Sequence, residues 1–435
     1  MTPAEIGYAG IAILLVLILL RIPIGLSLIL VSFSGLWILV GESAAWGSLG
    51  LIPYSFAAHW QLSSVPMFVL MGFVCFHAGL TKGLFDAARL WLAKLPGGLA
   101  IAGVFGATGF AAVTGSSLAC SAAMGRIAIP EMMKSRYDAA LATGSVAAAG
   151  TIGALIPPSI LLILYGIIAQ VPVGALFLGG VGVGVLTAAA YVSVIMIRVI
   201  LNPDLAPRAH EDAGWGERLR ALADIWPVLL LMIGVFGGLF SGVFTPTEAG
   251  AVGASLSVII AFVKRTLTWK RMWDSLYETL MVSASIFIIA IGANMLTRFI
   301  AFSGSGDALA DLVSNLEANR YVLLLGITVV YLLLGMFLDP IGAMLLTLPI
   351  LLPILKDTGY DLLWFGVLLA KYLEIGMITP PIGLNVFVLK GVVGDKIALS
   401  TIFKGVLWFL LADLFIVLAV IVFPEIITFL PSLLK

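Results

Sequence analysis

Two apolar stretches, each interrupted by a pair of prolines, contain groups that could bind ions. The pairs are Pro157-Pro158, which follows Gly153, and Pro380-Pro381. Proline lacks a backbone donor and clashes with the preceding turn, so a helix unwinds there and exposes carbonyl oxygens. Within a membrane such a break is tolerated only inside protein or beside a cavity. The pattern therefore predicts two sites where carbonyl oxygens bind a cation.

Each break has a companion segment in which small or acidic residues interrupt an apolar run. Asp339 is the most informative of these residues, because a carboxylate at membrane depth is costly and usually functional. Its alternative role is to cap a helix that begins at Pro340. The first candidate cation site joins Thr114, Ser116 and Ser117 to carbonyls around Gly153, Ile156 and Pro158, and the second joins Gly335 and Asp339 to Gly376 and Thr379.

An anionic substrate suits the space between the breaks, because the N-termini of half-helices carry partial positive charge. The candidate contacts for that substrate are Ser116, Pro157, Pro381, Asn385 and Arg298.

Each of these residues also has a structural alternative. The serines could simply permit close helix packing, and Asn385 could bond a neighbouring helix. Arg298 and Lys371 could attract a carboxylate, but extension of both side chains to the membrane interface is the favoured outcome. Glu374 and Asp413 could carry protons or pair with those two bases.

The two breaks belong to an internal duplication. One constant offset in the numbering relates Pro157 to Pro380 and Pro158 to Pro381 without a gap. The same offset, here called the repeat offset, relates other matching residues, so we infer two repeats. These further pairs are Gly153 and Gly376, Pro130 and Pro353, Tyr137 and Tyr360, and Asp138 and Asp361.

Composition indicates a polytopic, all-α membrane protein. Of 435 residues, 61% are hydrophobic and 11% are charged, whereas soluble domains carry about 25% charge. The net charge is zero and basic residues are dispersed, which argues against a nucleic-acid partner. Two cysteines in apolar segments and three scattered histidines indicate neither a disulfide framework nor a Cys/His metal centre.

The apolar segments divide the chain into scaffold and transport parts. Residues 264–274 and 307–319 are predicted to lie on the surface. The first span lacks a preceding basic region, so we expect it to be retained rather than cleaved. The predicted parts are 1–60 (scaffold helices), 61–96 (a span and an amphipathic arm), 97–200 (first repeat: hairpin 97–133, broken helix 138–170), 201–224 (hydrophilic linker), 225–319 (second scaffold and arm) and 320–424 (second repeat: hairpin 321–355, broken helix 361–393).

Positive charge is concentrated on one side of this arrangement. Arginines and lysines follow the first span and recur in the linker 201–224, which places the linker in the cytoplasm and both termini in the periplasm. The hairpins then enter from opposite sides, so the repeats are inverted. Inverted repeats with re-entrant hairpins and broken helices are typical of an ion-coupled secondary transporter with a site near the midplane.

Several motifs resemble the large membrane subunit of tripartite ATP-independent periplasmic (TRAP) transporters. They are GVFTPTEAG at 242–250, GSS at 115–117, GMFLDP at 335–340 and both double prolines. The resemblance implies a sodium-driven permease of the bacterial inner membrane that works by an elevator motion and is not an enzyme. It implies two partners, a small four-helix membrane subunit and a periplasmic binding protein that delivers a carboxylate such as a C4-dicarboxylate or sialic acid.

The resemblance also implies sodium ions as the coupling ions. It assigns them to the residues of the first candidate cation site and, at the second, to Gly335, Gly376, Thr379 and Ile382. One asymmetry stands out, because the first break has Ile156 where the second has Thr379. A ligand at Ile156 must therefore be its carbonyl. We expect the small subunit to be a separate chain, since the sequence starts directly with a span.

Three alternatives remain at this stage. A stand-alone carrier would need no binding protein. An intramembrane enzyme is disfavoured, because the sequence has no HExxH motif and no GxSxG in a plausible context. A channel is disfavoured because no charged selectivity ring is evident.

Overall fold

The computed structural model describes residues 1–207, 214–306, 308 and 320–433. These residues form helices and no strands, and six of the helices are long and apolar enough to cross a membrane. The expected all-α polytopic class is confirmed. In chain order the helices are α1 (Pro3–Leu19), α2 (Ile24–Val40), α3 (Glu42–Ala57), α4 (Ser64–His77), α5 (Lys82–Leu92), α6 (Gly98–Thr114), α7 (Ser117–Lys134), α8 (Ala139–Gly150), α9 (Ile160–Ala169), α10 (Val173–Leu201), α11 (Trp215–Asp224), α12 (Trp226–Phe240), α13 (Pro246–Val263), α14 (Trp269–Ser303), α15 (Arg320–Phe337), α16 (Pro340–Asp357), α17 (Leu362–Gly376), α18 (Leu384–Val393), α19 (Leu399–Val422) and α20 (Glu425–Ser432).

The duplication is visible in the helix boundaries. The repeat offset that relates the double prolines also relates both ends of α7 to both ends of α16. Asp138 and Asp361 are equivalent N-caps, and each carboxylate accepts a 2.8 Å bond from a backbone amide of the following turn. Such caps satisfy donors that the first helical turn leaves free. Local chemistry thus starts α8 and α17 at equivalent positions.

Of the two predicted surface segments, one is partly helical and the other lies mostly outside the described residues. Helix α14 begins at Trp269, inside the segment 264–274, so residues 269–274 of this segment and the following span form one helix of 35 residues. The physical reason is the cap at Thr268, whose hydroxyl accepts a bond from the Arg271 amide at 3.3 Å. Of the polar segment 307–319, residues 307 and 309–319 lie outside the described residues.

Helix α14 is the centre of a group of N-terminal helices. Helices α1 to α3 pack on it, and the Phe299 ring fills a slot between Gly10 and Gly35. A Cβ atom at Gly35 would lie 2.2 Å from that ring, so only glycine permits this approach. In α13, Glu248 closes the capping box begun by Thr245. These helices lie within the segments 1–60 and 225–319.

The two repeats interlock through their hairpins. Helix α7 of the first hairpin packs against α8 and also against α18 of the second repeat. Conversely, α16 of the second hairpin packs against α17 and also against α9 of the first repeat. Each hairpin therefore contacts one half of both broken helices, which places the breaks next to one another in the fold.

Candidate functional site

The tip of the first hairpin touches the first break. Helix α6 ends at Thr114, and Gly115 turns the chain with a φ of 60°. A Cβ atom at Gly115 would lie 2.0 Å from the Pro158 carbonyl oxygen, and one at Gly153 would lie 3.0 Å from the Ser117 Cα. Glycine permits both the left-handed turn and the close approach. The structure thus brings the predicted tip and break residues together.

Backbone atoms dominate this first contact. The Thr114 hydroxyl donates to the Phe110 carbonyl at 3.1 Å, and Ser116 caps α7 by accepting from the Ala119 amide at 3.4 Å. The Ile156 side chain packs against α10 near Gly184, away from any ligand role. Both hydroxyl oxygens keep lone pairs that could bind a cation. Ile156 can offer only its carbonyl, as the sequence difference between the two breaks indicates.

In the second repeat, two glycines form the contact between the hairpin and the break. Gly335 lies inside the last turn of α15, just before the hairpin tip, and faces Gly376 at the end of α17. A Cβ atom at Gly376 would lie 2.6 Å from the Gly335 Cα. Small residues are what allow helices in membranes to approach so closely. The second hairpin and the second break are therefore in backbone contact.

The polar side chains of the second repeat have local partners. Asp339 caps α16, because its Oδ2 accepts from the Gly342 amide at 2.9 Å. The Thr379 hydroxyl donates to the Ile375 carbonyl at 2.7 Å. The capping role foreseen for Asp339 is thus present, and each group retains oxygen lone pairs. Ile382 follows the Pro380-Pro381 cis peptide and is half-buried.

The predicted substrate contacts differ in their burial and in their distance from the two breaks. Asn385, at the start of α18, is fully buried, and neither polar atom of its side chain has a hydrogen-bond partner in the described parts of the chain. Pro157 is buried at the first break, whereas Pro381 is exposed at the second. Arg298 is exposed on α14, where its Nη1 donates to Ser48 Oγ at 3.5 Å. Its partner therefore belongs to α3 and not to either break.

Lys371, Asp413 and Tyr191 form a buried network that the sequence predicts only in part. Lys371 was expected to reach the membrane interface, which is wrong: its side chain is 1% exposed and donates to Asp413 Oδ1 at 2.6 Å. Tyr191 donates to the same carboxylate at 2.9 Å, and its hydroxyl lies 3.2 Å from that of Thr151. Lys371 stays inside because α17, α10 and α19 surround it with a matching counter-ion. The sequence shows both charges but no signal for Tyr191.

Glu374 is the functional candidate that the sequence left undecided. The residue is 0% exposed, and neither carboxylate oxygen has a hydrogen-bond partner among the described residues. Ser117, at the tip of the first hairpin, lies beside this carboxylate without reaching hydrogen-bond geometry. Buried carboxylates without partners are rare, and each one calls for a functional explanation such as a bound ion. The sequence also allows Glu374 to pair with Lys371, but in the structure Lys371 pairs with Asp413.

Comparison with known proteins agrees with this architecture. Residues 11–426 match the family model described as tripartite ATP-independent periplasmic transporter, DctM component. The chain is 34% identical to the C4-dicarboxylate TRAP transporter large permease protein DctM of Pseudomonas aeruginosa, over 85% of this chain and 86% of that one. It is 33% identical to the sialic acid TRAP transporter large permease protein SiaM of Vibrio cholerae, over 94% of this chain and 95% of that one.

A solved structure shows the same fold at low identity. The crystal structure of the Alcanivorax borkumensis YdaH transporter superposes with a TM-score of 0.60 and 17% identity, over 89% of this chain and 90% of that one. This likeness concerns the fold alone. The family match over residues 11–426, together with the two large permease relatives, shows that the chain belongs to the tripartite ATP-independent periplasmic transporter family as a DctM component.

Proposed function

We propose that this chain is the permease subunit of a transporter that carries an organic anion into the cell together with sodium ions. The observation that carries the proposal is that each hairpin tip contacts the break of its own repeat. Unwound backbone supplies several oxygen ligands in a small space, which a hard monovalent cation requires. One sodium ion would bind at each contact.

Two sets of residues would hold these ions. The donors are carbonyls, hydroxyls and a carboxylate, which fits a hard cation better than a metal that prefers nitrogen or sulfur. The proposed ligands are Thr114, Ser116, Ser117, Gly153, Ile156 and Pro158 at the first site, and Gly335, Asp339, Gly376, Thr379 and Ile382 at the second.

The substrate class follows from chemistry and from relatives. The names of two relatives specify C4-dicarboxylates and sialic acid, both of which carry carboxylates. Asn385 supports such a substrate here, because its buried amide has unsatisfied polar atoms beside the second break. A carboxylate could accept hydrogen bonds from this amide. Substrate carriage, not enzymatic turnover, is the proposed activity.

The family name, which describes a tripartite system, supports two partners. We propose a small membrane subunit and a periplasmic binding protein that delivers the substrate, in the cytoplasmic membrane of a bacterium. The interlocked hairpins and broken helices would move as an elevator against the scaffold segments 1–60 and 225–319. The linker 201–224 would be cytoplasmic and both termini periplasmic.

Uptake into proteoliposomes that contain the membrane subunits and the binding protein tests the proposal. A sodium gradient should drive accumulation of a radiolabelled C4-dicarboxylate or sialic acid, whereas a proton gradient alone should not. Uptake driven by protons and indifferent to sodium would reject sodium coupling. Undiminished uptake without the binding protein would favour a stand-alone carrier.

A double substitution at the two contacts tests the ligand assignment. Ser116→Ala with Thr379→Val removes one side-chain oxygen from each proposed site. We expect the sodium concentration for half-maximal uptake to rise about tenfold, which corresponds to about 1.4 kcal/mol of lost binding free energy. Sodium titration of uptake in proteoliposomes measures this shift.

The matched control is Ser193→Ala with Thr428→Val. Like the Thr379 hydroxyl, these two hydroxyls donate to backbone carbonyls, Ser193 to Ala189 at 2.8 Å and Thr428 to Pro424 at 3.3 Å, but they lie on α10 and α20. The control should keep the sodium dependence of the unsubstituted protein. If the Ser116 and Thr379 variant kept it as well, the side-chain ligands would be assigned wrongly.

A further inference from the structure

Glu374 is a fully buried carboxylate whose charge has no partner in the contacts already described. Its residue is 0% exposed and both oxygens lack hydrogen bonds in the described chain. Lys371, one helical turn earlier, is bonded at 2.6 Å to Asp413, which is itself 0% exposed. The lysine and aspartate charges therefore cancel each other. An ionised Glu374 would therefore be a buried negative charge without compensation, which is strongly disfavoured.

The Glu374 carboxylate lies near the first hairpin, although Glu374 belongs to the second repeat. Helix α17, which carries Glu374, packs against residues 151–154 of the first break. Gly153 of that break approaches the Ser117 Cα, and Ser117 lies beside the Glu374 carboxylate. Glu374 therefore adjoins the contact between the first hairpin and the first break.

A comparison of equivalent positions in the two repeats shows which ligand Glu374 supplies at the first break. Under the repeat offset, the equivalent of Glu374 is Thr151, whose hydroxyl donates to Ala148 and meets Tyr191. The equivalent of Thr379 is Ile156, which has no side-chain oxygen. The first break thus offers no acidic ligand at either position, and the Thr151 hydroxyl there already bonds two partners. Glu374 supplies an acidic group at that place from the other repeat.

Two more buried polar groups without partners lie on the helices that meet here. Ser121, one turn beyond Ser117 on α7, lies against Gly150 of α8, and its hydroxyl has no partner among the described residues. Asn385 begins α18, which packs on α7 through Leu389 and Gly125. Native interiors rarely leave several such groups unsatisfied unless an ion, water or substrate binds them.

We propose that Glu374 is the anionic ligand of the sodium ion at the first hairpin tip, with the Ser117 hydroxyl as its neighbouring ligand. The inference rests on the proposed sodium-coupled function and specifies one of its two sites. A sodium ion there neutralises the buried carboxylate and joins α7 of the first repeat to α17 of the second. Because α17 leads directly to Gly376 and Thr379, sodium at the first site also fixes the start of the second break.

The test is a sodium titration of thermal unfolding, with the purified transporter in sodium chloride or choline chloride of equal ionic strength. Ligand binding to the folded state raises the unfolding temperature as ligand concentration rises. Glu374→Gln keeps the size of the side chain and removes its charge. We expect this variant to require at least about tenfold more sodium for the same stabilisation. Its uptake should depend on sodium with a lower Hill coefficient.

Two further variants keep the result interpretable. Glu131 also lies on the first hairpin, but its carboxylate pairs with Lys134 at 2.7 Å near the surface. The variant Glu131→Gln should therefore leave the sodium titration unchanged. Glu374→Asp retains the charge on a shorter side chain and should bind sodium better than Glu374→Gln. This order separates loss of a charge from loss of packing, even if both Glu374 variants are less stable in choline.

The possible outcomes distinguish the inference from the proposed function. Absence of sodium stabilisation in the unsubstituted protein would reject sodium coupling as a whole. If sodium stabilises that protein and Glu374→Gln to the same extent at the same concentration, sodium coupling stands and the Glu374 assignment fails. A carboxyl group that stays protonated throughout would give this second result, since glutamine mimics it.

Discussion

Replacement of Asp413 by leucine, with Lys371 left in place, should lower the free energy of unfolding by about 3–5 kcal/mol. The reason is that the lysine ammonium would remain buried without its counter-ion, which costs more than the ion pair contributes. Lys371 is 1% exposed and its side chain donates to Asp413 at 2.6 Å. Tyr191 would lose the carboxylate that accepts its hydroxyl at 2.9 Å. Denaturation by SDS in detergent micelles measures the loss.

The double variant Asp413→Leu with Lys371→Met is the control. Both charges are removed together, and buried ion pairs replaced by apolar groups of similar volume often keep or gain stability. We therefore expect the double variant to unfold much closer to the unsubstituted protein than Asp413→Leu does. Equal stability of Asp413→Leu and the unsubstituted protein would show that the pair is not buried as described.

Replacement of Gly376 by alanine should reduce uptake on the order of 100-fold, because a displacement of about 1 Å in a site of this kind costs that much. The added Cβ would lie 2.6 Å from the Gly335 Cα and 2.7 Å from its carbonyl carbon. These are backbone atoms of the second hairpin, so the hairpin has to move away from the break. The proposed second sodium site lies at this contact. Sodium-driven uptake in proteoliposomes measures the effect.

Two other glycines provide a graded comparison. A Cβ at Gly335 would lie 3.1 Å from the Gly376 Cα, so Gly335→Ala should reduce uptake less than Gly376→Ala. Gly391 lies on α18, where an added Cβ would meet no atom within 4 Å, and Gly391→Ala should leave uptake unchanged. Uptake by Gly376→Ala at the level of Gly391→Ala would contradict a tight contact between the second hairpin and its break.

Much of the fold could be predicted from local sequence signals. The double prolines predict the breaks because proline cannot donate a backbone hydrogen bond. Asp138 and Asp361 predict two helix starts because aspartate side chains cap free amides. Long apolar runs predict spans because the hydrocarbon layer sets their length. Each signal acts within a few residues of itself, so no knowledge of neighbouring helices is needed.

The candidate sites could be predicted as pairs of segments but not as sets of atoms. The sequence establishes the class of protein, the internal repeat with its constant offset, and which hairpin accompanies which break. Whether Asp339 binds an ion or caps a helix stayed open. The structure shows the cap, because the orientation of a side chain depends on the backbone turn that presents it.

Which distant residues meet depends on helix packing alone. Lys371 and Asp413 are 42 residues apart, and Tyr191 and Asp413 are 222 apart, yet they form one buried network. Glu374 lies beside the hairpin tip of the opposite repeat. Such contacts depend on how whole helices pack around small residues, and a sequence pattern with a period of one helical turn carries no information about them.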